Sequence, residues 1–353
     1  MSTLSPFQPP VDRIDLGDGR RVRLVELLGK GACSSVYRGA LESRSGVQRA
    51  VAVKLFGAVA SEEAPQVFEL LARTARRWAC IRHPNVVATF DCGRWHATPF
   101  VVTELVDGVT LQTVLERGRE RRQRLALDLA LFIAVEVAEA LSGARTARGA
   151  DGVQLGVLHL GLTAREVLLS FRGEVKVTDF EVSTTRAASS SVRSLRAVAG
   201  RATMMAPEIA QGGSGDARSD VFSLGVLLRE LLVGPRFPTT LSNAEAIRLA
   251  RDGYVQPICF QPHLPEALVR TMTRALEIDP MDRFPNATAM LYELRRVALG
   301  MGVGDARYFL RRALEREWGQ DASETTLERQ PCAAPPTERD PSPEERDTRD
   351  RRP

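Results

Sequence analysis

A glycine-rich turn, Gly29-x-Gly31-x-x-Ser34-x-Val36, precedes the strand-like run Val51-Ala52-Val53-Lys54. Glycines lack a Cβ, so backbone N–H groups can close on a phosphate, and a lysine ammonium behind them can reach its oxygens. The same turn also reads as a plain hairpin with two permissive residues. Lys54 bears on the choice, because of 48 basic residues only Lys30, Lys54 and Lys176 are lysine. In a chain that otherwise uses arginine, a compact ammonium kept within a strand suits a phosphate better than a solvated surface position. Further on, Val157 to Glu181 reads as a short buried strand, a polar turn, a strand pair and a second turn closed by Asp179-Phe180-Glu181. Other chemistry is poorly supplied. The four histidines are scattered and the five cysteines form no C-x-x-C pair, so no zinc-type ligand set is visible and free thiols in a reducing compartment are expected.

The elements that must position these residues change character near Asp107-Gly108. Before it, Val22, Leu24 and Leu27, the run ending at Tyr37, and Ala50 to Phe56 fit three antiparallel strands. Val67, Leu70, Leu71, Thr74 and Trp78 share one helix face, and Val86 to Cys92 and Pro99 to Leu105 make two more strands. After the turn the chain is mainly helical. Leu129 to Leu141 marks a long helix, Asp220 to Leu232 an apolar one, and Asp305 to Trp318 a last amphipathic one. Residues 1–20 read as a loose arm, and the Pro-, Glu-, Asp- and Arg-rich residues 320–353 as a disordered tail.

Composition narrows the class. A hydrophobic content of 44% supports a sizeable core. The richest apolar run, Leu125 to Ala144, contains Asp128, Glu136 and Glu139, which suits a buried helix rather than a membrane span. No basic segment followed by an apolar one opens the chain, so no secretory signal and a cytoplasmic location are expected. The net charge of +4 (48 minus 44) is modest and lacks basic runs interleaved with aromatics, which argues against a nucleic-acid partner.

Taken in order, the glycine turn, Val51-Ala52-Val53-Lys54, Glu104, His159, Asp179-Phe180, Ala206-Pro207-Glu208, Asp220-Val221-Phe222-Ser223-Leu224-Gly225 and Asp279-Pro280 with Arg283-Phe284 form a series. It resembles the motif series of the bacterial eukaryotic-type (Hanks-type) Ser/Thr protein kinase family, over residues 22–298. The resemblance implies an α+β, two-lobed protein-kinase-like fold: an antiparallel N-lobe sheet with one helix over 21–106, a mainly helical C-lobe over 107–300, and a C-terminal helix over 301–319. It also implies ATP as the nucleotide. Gly29, Gly31 and Lys54 would face its phosphates, Val36, Ala52 and Leu168 its base, and Glu104 to Val106 the hinge, with Asp179 at the metal turn. Trp78, His159 and Phe180 fall on the family's interlobe spine, Glu208 and Arg283 on a buried ion pair, and Asp220 on the residue that holds the catalytic loop.

The departures are concentrated where the family does its chemistry. Its loop His-Arg-Asp-Leu-Lys-Pro-x-Asn is here His159-Leu160-Gly161-Leu162-Thr163-Ala164-Arg165-Glu166. The aspartate that accepts the substrate proton is Gly161, and losing such help costs roughly 10²- to 10⁴-fold. The lysine beside the transferring phosphoryl group is Thr163, and the metal-binding asparagine is Glu166. The helix glutamate that pairs with the strand lysine is Thr74, which leaves Asp179 as the nearest partner for Lys54. Arg201 replaces the threonine that touches the catalytic residues, and Glu181 the glycine after Asp179-Phe180. Glu166, Asp179 and Glu181 would gather carboxylates that either form an unusual Mg²⁺ site or repel ATP; alternatively, Glu181 simply faces solvent.

The expectation is a pseudokinase, a regulatory or scaffolding module that binds ATP without standard phosphotransfer. An active kinase or its substrate is the expected partner. The alternative is a Ser/Thr kinase with weak or non-standard transferase activity. The Ser- and Thr-rich segment Ser183 to Ser194 reads as a flexible loop open to phosphorylation by another kinase.

Overall fold

A computed structural model describes residues 13–30, 34–56, 64–96, 98–180, 202–238, 240–257 and 263–327. The first lobe is built by alternation. In β1 (Arg13–Gly17) and β2 (Arg20–Lys30), Ile14, Val22 and Leu24 are buried while the arginines between them point outward. β3 (Ser34–Glu42) and β4 (Gln48–Phe56) follow, then helix α1 (Ala64–Trp78), β5 (Thr89–Trp95) and β6 (Thr98–Glu104). The six strands form one antiparallel sheet in the order β1-β2-β3-β4-β6-β5. The sheet therefore starts at Arg13, earlier than Arg21, where the apolar pattern becomes evident. Its first hairpin is hidden in a glycine-rich stretch: Gly17, Asp18 and Gly19 all take positive φ, and only Ile14 on β1 is fully buried.

The second lobe opens with β7 (Gly108–Thr110), α2 (Leu111–Glu120) and α3 (Leu127–Thr146), then β8 (Val167–Ser170) and β9 (Val175–Val177). β7, β8 and β9 make a small sheet on the cleft side. α4 (Pro207–Ala210), α5 (Ala217–Leu232), α6 (Asn243–Arg251), α7 (Glu266–Ala275), α8 (Ala287–Gly300) and α9 (Ala306–Leu327) complete it. The core is the pairing of α3 and α5, helices with apolar residues on nearly every face, as befits elements enclosed on all sides. α5 starts at a capping box between Asp216 and Ser219. α9 runs to Leu327, past Gly319, where the sequence pattern places its end.

Two contacts fix the lobes and the last helix. The loop after α1 is stitched to β9: Val177 N–H donates to Asn85 O at 2.7 Å, Val87 N–H to Val177 O at 2.9 Å, and the Asn85 amide reaches Val175 O at 2.9 Å. At the turn between β8 and β9, Gly173 takes φ +78° and a Cβ there would sit 2.2 Å from Arg307 O, so α9 approaches as closely as only glycine permits. No helix among the described residues is long and apolar enough to cross a membrane.

Candidate nucleotide-binding site

The strand ends and turns converge on one cleft of ≈ 760 Å³ between the lobes. Its size falls within the roughly 300–1,000 Å³ of small-molecule sites. Gly29, Val36, Ala52, Lys54, Glu104, Val106, Leu168 and Asp179 all line it. Gly31 lies outside the described residues, as do Glu181, Arg201 and the segment from Ser183 to Ser194. Apolar Val36, Ala52 and Leu168 suit the faces of a planar base, and Lys54 is a cation of the cleft that could meet phosphate oxygens. On that chemistry the residues present fit a nucleoside triphosphate.

Lys54 Nζ donates to Asp179 Oδ2 at 2.8 Å. Asp179 stands at φ +58°, a left-handed conformation that a short polar side chain tolerates. Thr74 is buried and turned inward on its own helix, its hydroxyl donating to Leu70 O at 2.8 Å. A second ion pair shares the cleft: Lys176 Nζ lies 2.9 Å from Glu104 Oε1. Glu104 also accepts from Ala88 N–H at 3.3 Å. Motif spacing gives Lys176 no role. The signal was the rarity of lysine, since two of the three lysines line this cleft.

Behind the cleft, the loop from His159 to Glu166 is held from two sides. Asp220 accepts from His159 N–H at 2.9 Å and from Leu160 N–H at 2.7 Å, all three residues being buried. Leu160 needs that clamp, because at φ +56° a bulky side chain is strained by about 1–2 kcal/mol. The His159 ring meets Thr178 O at 3.1 Å and lies 4.9 Å from the Phe180 ring. Trp78 packs against the same core.

From the other side the loop closes on itself. Glu166 is buried, and its Oε2 accepts from Thr163 N–H at 2.9 Å and also from the Thr163 hydroxyl. Arg165 N–H donates in turn to the Thr163 hydroxyl at 3.1 Å, and Thr178 N–H to Glu166 O at 2.9 Å. Glu166 is not among the cleft-lining residues. Among the described residues no group of three or more His, Cys, Asp or Glu side chains is arranged to hold a metal ion.

Below the loop, Arg283 grips Glu208 with both guanidinium nitrogens at 2.9 and 3.0 Å, and Ser219 donates to the same carboxylate at 2.6 Å. Burial pushes the Glu208 carboxyl up, but the hydrogen bonds from Arg283 and Ser219 outweigh it and hold the group below its ordinary value. Arg236 sits nearby, bonded to backbone carbonyls; burial, with Arg229 and Arg283 adding to it, brings its guanidinium down to about 9.

The family model for protein tyrosine and serine/threonine kinases matches residues 22–294. The serine/threonine-protein kinase PksC of Streptomyces coelicolor is 34% identical over 288 residues, which cover 79% of this chain and 49% of that protein. The serine/threonine-protein kinase PknB of Mycobacterium leprae is 31% identical over 294 residues, covering 82% and 43%. The chain thus spans less than half the length of the curated relatives it matches. The Mycobacterium tuberculosis PknI kinase domain shares the fold, with a TM-score of 0.57 at 21% identity over 82% of this chain and 99% of that one. With two lobes laid out as in a kinase domain and most of its length matched, the chain belongs to the protein tyrosine and serine/threonine kinase family.

Proposed function

We propose that this kinase-family chain acts as a pseudokinase, a regulatory or scaffolding module of the cytoplasm that binds ATP in the interlobe cleft without standard phosphotransfer. The observation that carries the reading is the state of the loop from Gly161 to Glu166. Gly161 offers no base, Thr163 no cation, and the Glu166 carboxylate is engaged by Thr163 within its own loop. A folded loop with a braced backbone and no general base supports a packing role, not proton transfer. Bound ATP would be held by Lys54 and the Gly29 turn at its phosphates and by Val36, Ala52 and Leu168 around the base. Mg²⁺ would find Asp179 already paired with Lys54, so its contribution is reduced. The partner is a protein, either an active kinase or its substrate, for which the two-lobed body serves as platform.

Thermal-shift titration with ATP, with and without Mg²⁺, tests the reading on wild type and Lys54→Ala. A shift that needs no Mg²⁺ and disappears in Lys54→Ala is expected. Mg²⁺-dependent phosphorylation by purified protein, abolished by Lys54→Ala, would overturn it, and no shift under any condition would point to a fold that binds no nucleotide.

The retained pair of Lys54 and Asp179 favours a second reading, a weak or non-standard ATP-dependent transferase. If labelled ATP yields no product and Asp179→Ala changes no activity, that reading fails.

A further inference from the structure

A second cavity, of ≈ 330 Å³, shares Trp318 with the interlobe cleft but is otherwise separate from it. Its walls are α2 and the following turn, the end of α5, and α9. Leu115, Leu125, Leu231, Leu310 and Leu314 supply an apolar interior. The α9 wall lies beyond residue 294, where the family match ends.

Its charge is one-sided. Arg117, Arg119, Arg121 and Arg124 line it against only two carboxylates, Glu230 and Glu317. Arg119 pairs with Glu230 and Arg121 with Glu317. Arg117 donates to the Glu317 backbone carbonyl at 3.1 Å and lies over the Trp318 ring at 4.5 Å. Arg124 is exposed and makes no ion pair among the described residues. An apolar cavity with surplus guanidinium charge calls for an occupant with an apolar body and an anionic head.

We propose that this cavity binds a small soluble amphiphile bearing one carboxylate-like group, the apolar part among the leucines and the head toward Arg124. The site is independent of what the nucleotide cleft does, so either reading can fail alone.

Decanoate, kept below its micelle concentration, is the probe, and Trp318 the reporter. A saturable change in tryptophan emission is expected in the full chain, absent from Trp318→Phe, while thermal stabilisation by decanoate persists in that variant. Arg124→Glu should weaken decanoate roughly fivefold and leave neutral decanol unaffected. Leu115→Trp, which fills the cavity, should abolish binding while the variant keeps the cooperative thermal unfolding of the wild type, which shows that it folds. Equal affinity for decanol and decanoate, or binding indifferent to Leu115→Trp, would overturn the proposal. So would association with anionic vesicles without any saturable response to decanoate.

Discussion

Lys54 and Asp179 hold each other across the interlobe cleft, Nζ to Oδ2 at 2.8 Å, while Thr74 on α1 keeps its hydroxyl on the Leu70 carbonyl of its own helix. The two side chains remain 21% and 29% exposed, so the pair adds little to stability, about 0–1 kcal/mol. Lys54→Ala should therefore shift the urea midpoint only slightly while removing the thermal response to ATP. A loss of several kcal/mol would mean that the pair is structural.

Asp220 and the strained Leu160 give a larger effect. Asp220→Ala removes the acceptors of two buried N–H groups and releases a left-handed residue from its clamp. Each unsatisfied buried group costs about 1–3 kcal/mol, so the variant should lose roughly 3 kcal/mol or more in denaturant titration. Asp220→Asn, which keeps one oxygen, should lose less.

Glu208 ties the acid limb of stability to one ion pair. Its carboxyl is held below the ordinary glutamate value, so its stabilising contribution is complete above about pH 4.3 and is lost as pH falls through the lower folded value. Arg283→Met removes both guanidinium bonds to the half-buried Glu208 carboxylate and should cost about 3 kcal/mol at neutral pH. Glu208→Gln should flatten the acid limb, which a series of melting temperatures from pH 6 down to pH 3 would reveal.

Lys54, Gly29 and Asp179 were legible from local chemical oddities, a lysine among arginines, a glycine turn and an aspartate before phenylalanine, whereas Val36, Ala52, Glu104, Val106 and Leu168 were placed only by the resemblance to a kinase motif series. Lys176 shares that oddity, but its partner Glu104 lies on a strand distant in the chain, and only folding pairs them. The hairpin from Arg13 was hidden because the one buried side chain on β1, Ile14, sits beside a run of turn residues. The engagement of Glu166 by Thr163 was equally out of reach, since spacing places a carboxylate but not the direction it turns. The same limit applies to Trp318, whose amphipathic helix was readable while its place at two cavities was not.

Restoring the family residues one at a time should fail. Gly161→Asp alone leaves Thr163 and Glu166 bonded to each other, so no more than a trace of transfer is expected. Gly161→Asp, Thr163→Lys and Glu166→Asn together return the base, the cation and the amide. They should raise transfer by roughly 10²-fold or more over the single variant if those positions are what the chain lacks.

The central claim is decided by phosphoryl transfer itself. Purified wild-type protein is incubated with γ-labelled ATP and Mg²⁺, with and without a generic Ser/Thr substrate protein, beside Lys54→Ala. The account predicts no label above the Lys54→Ala background. Label on the chain or the substrate that requires Mg²⁺ and vanishes in Lys54→Ala would contradict it.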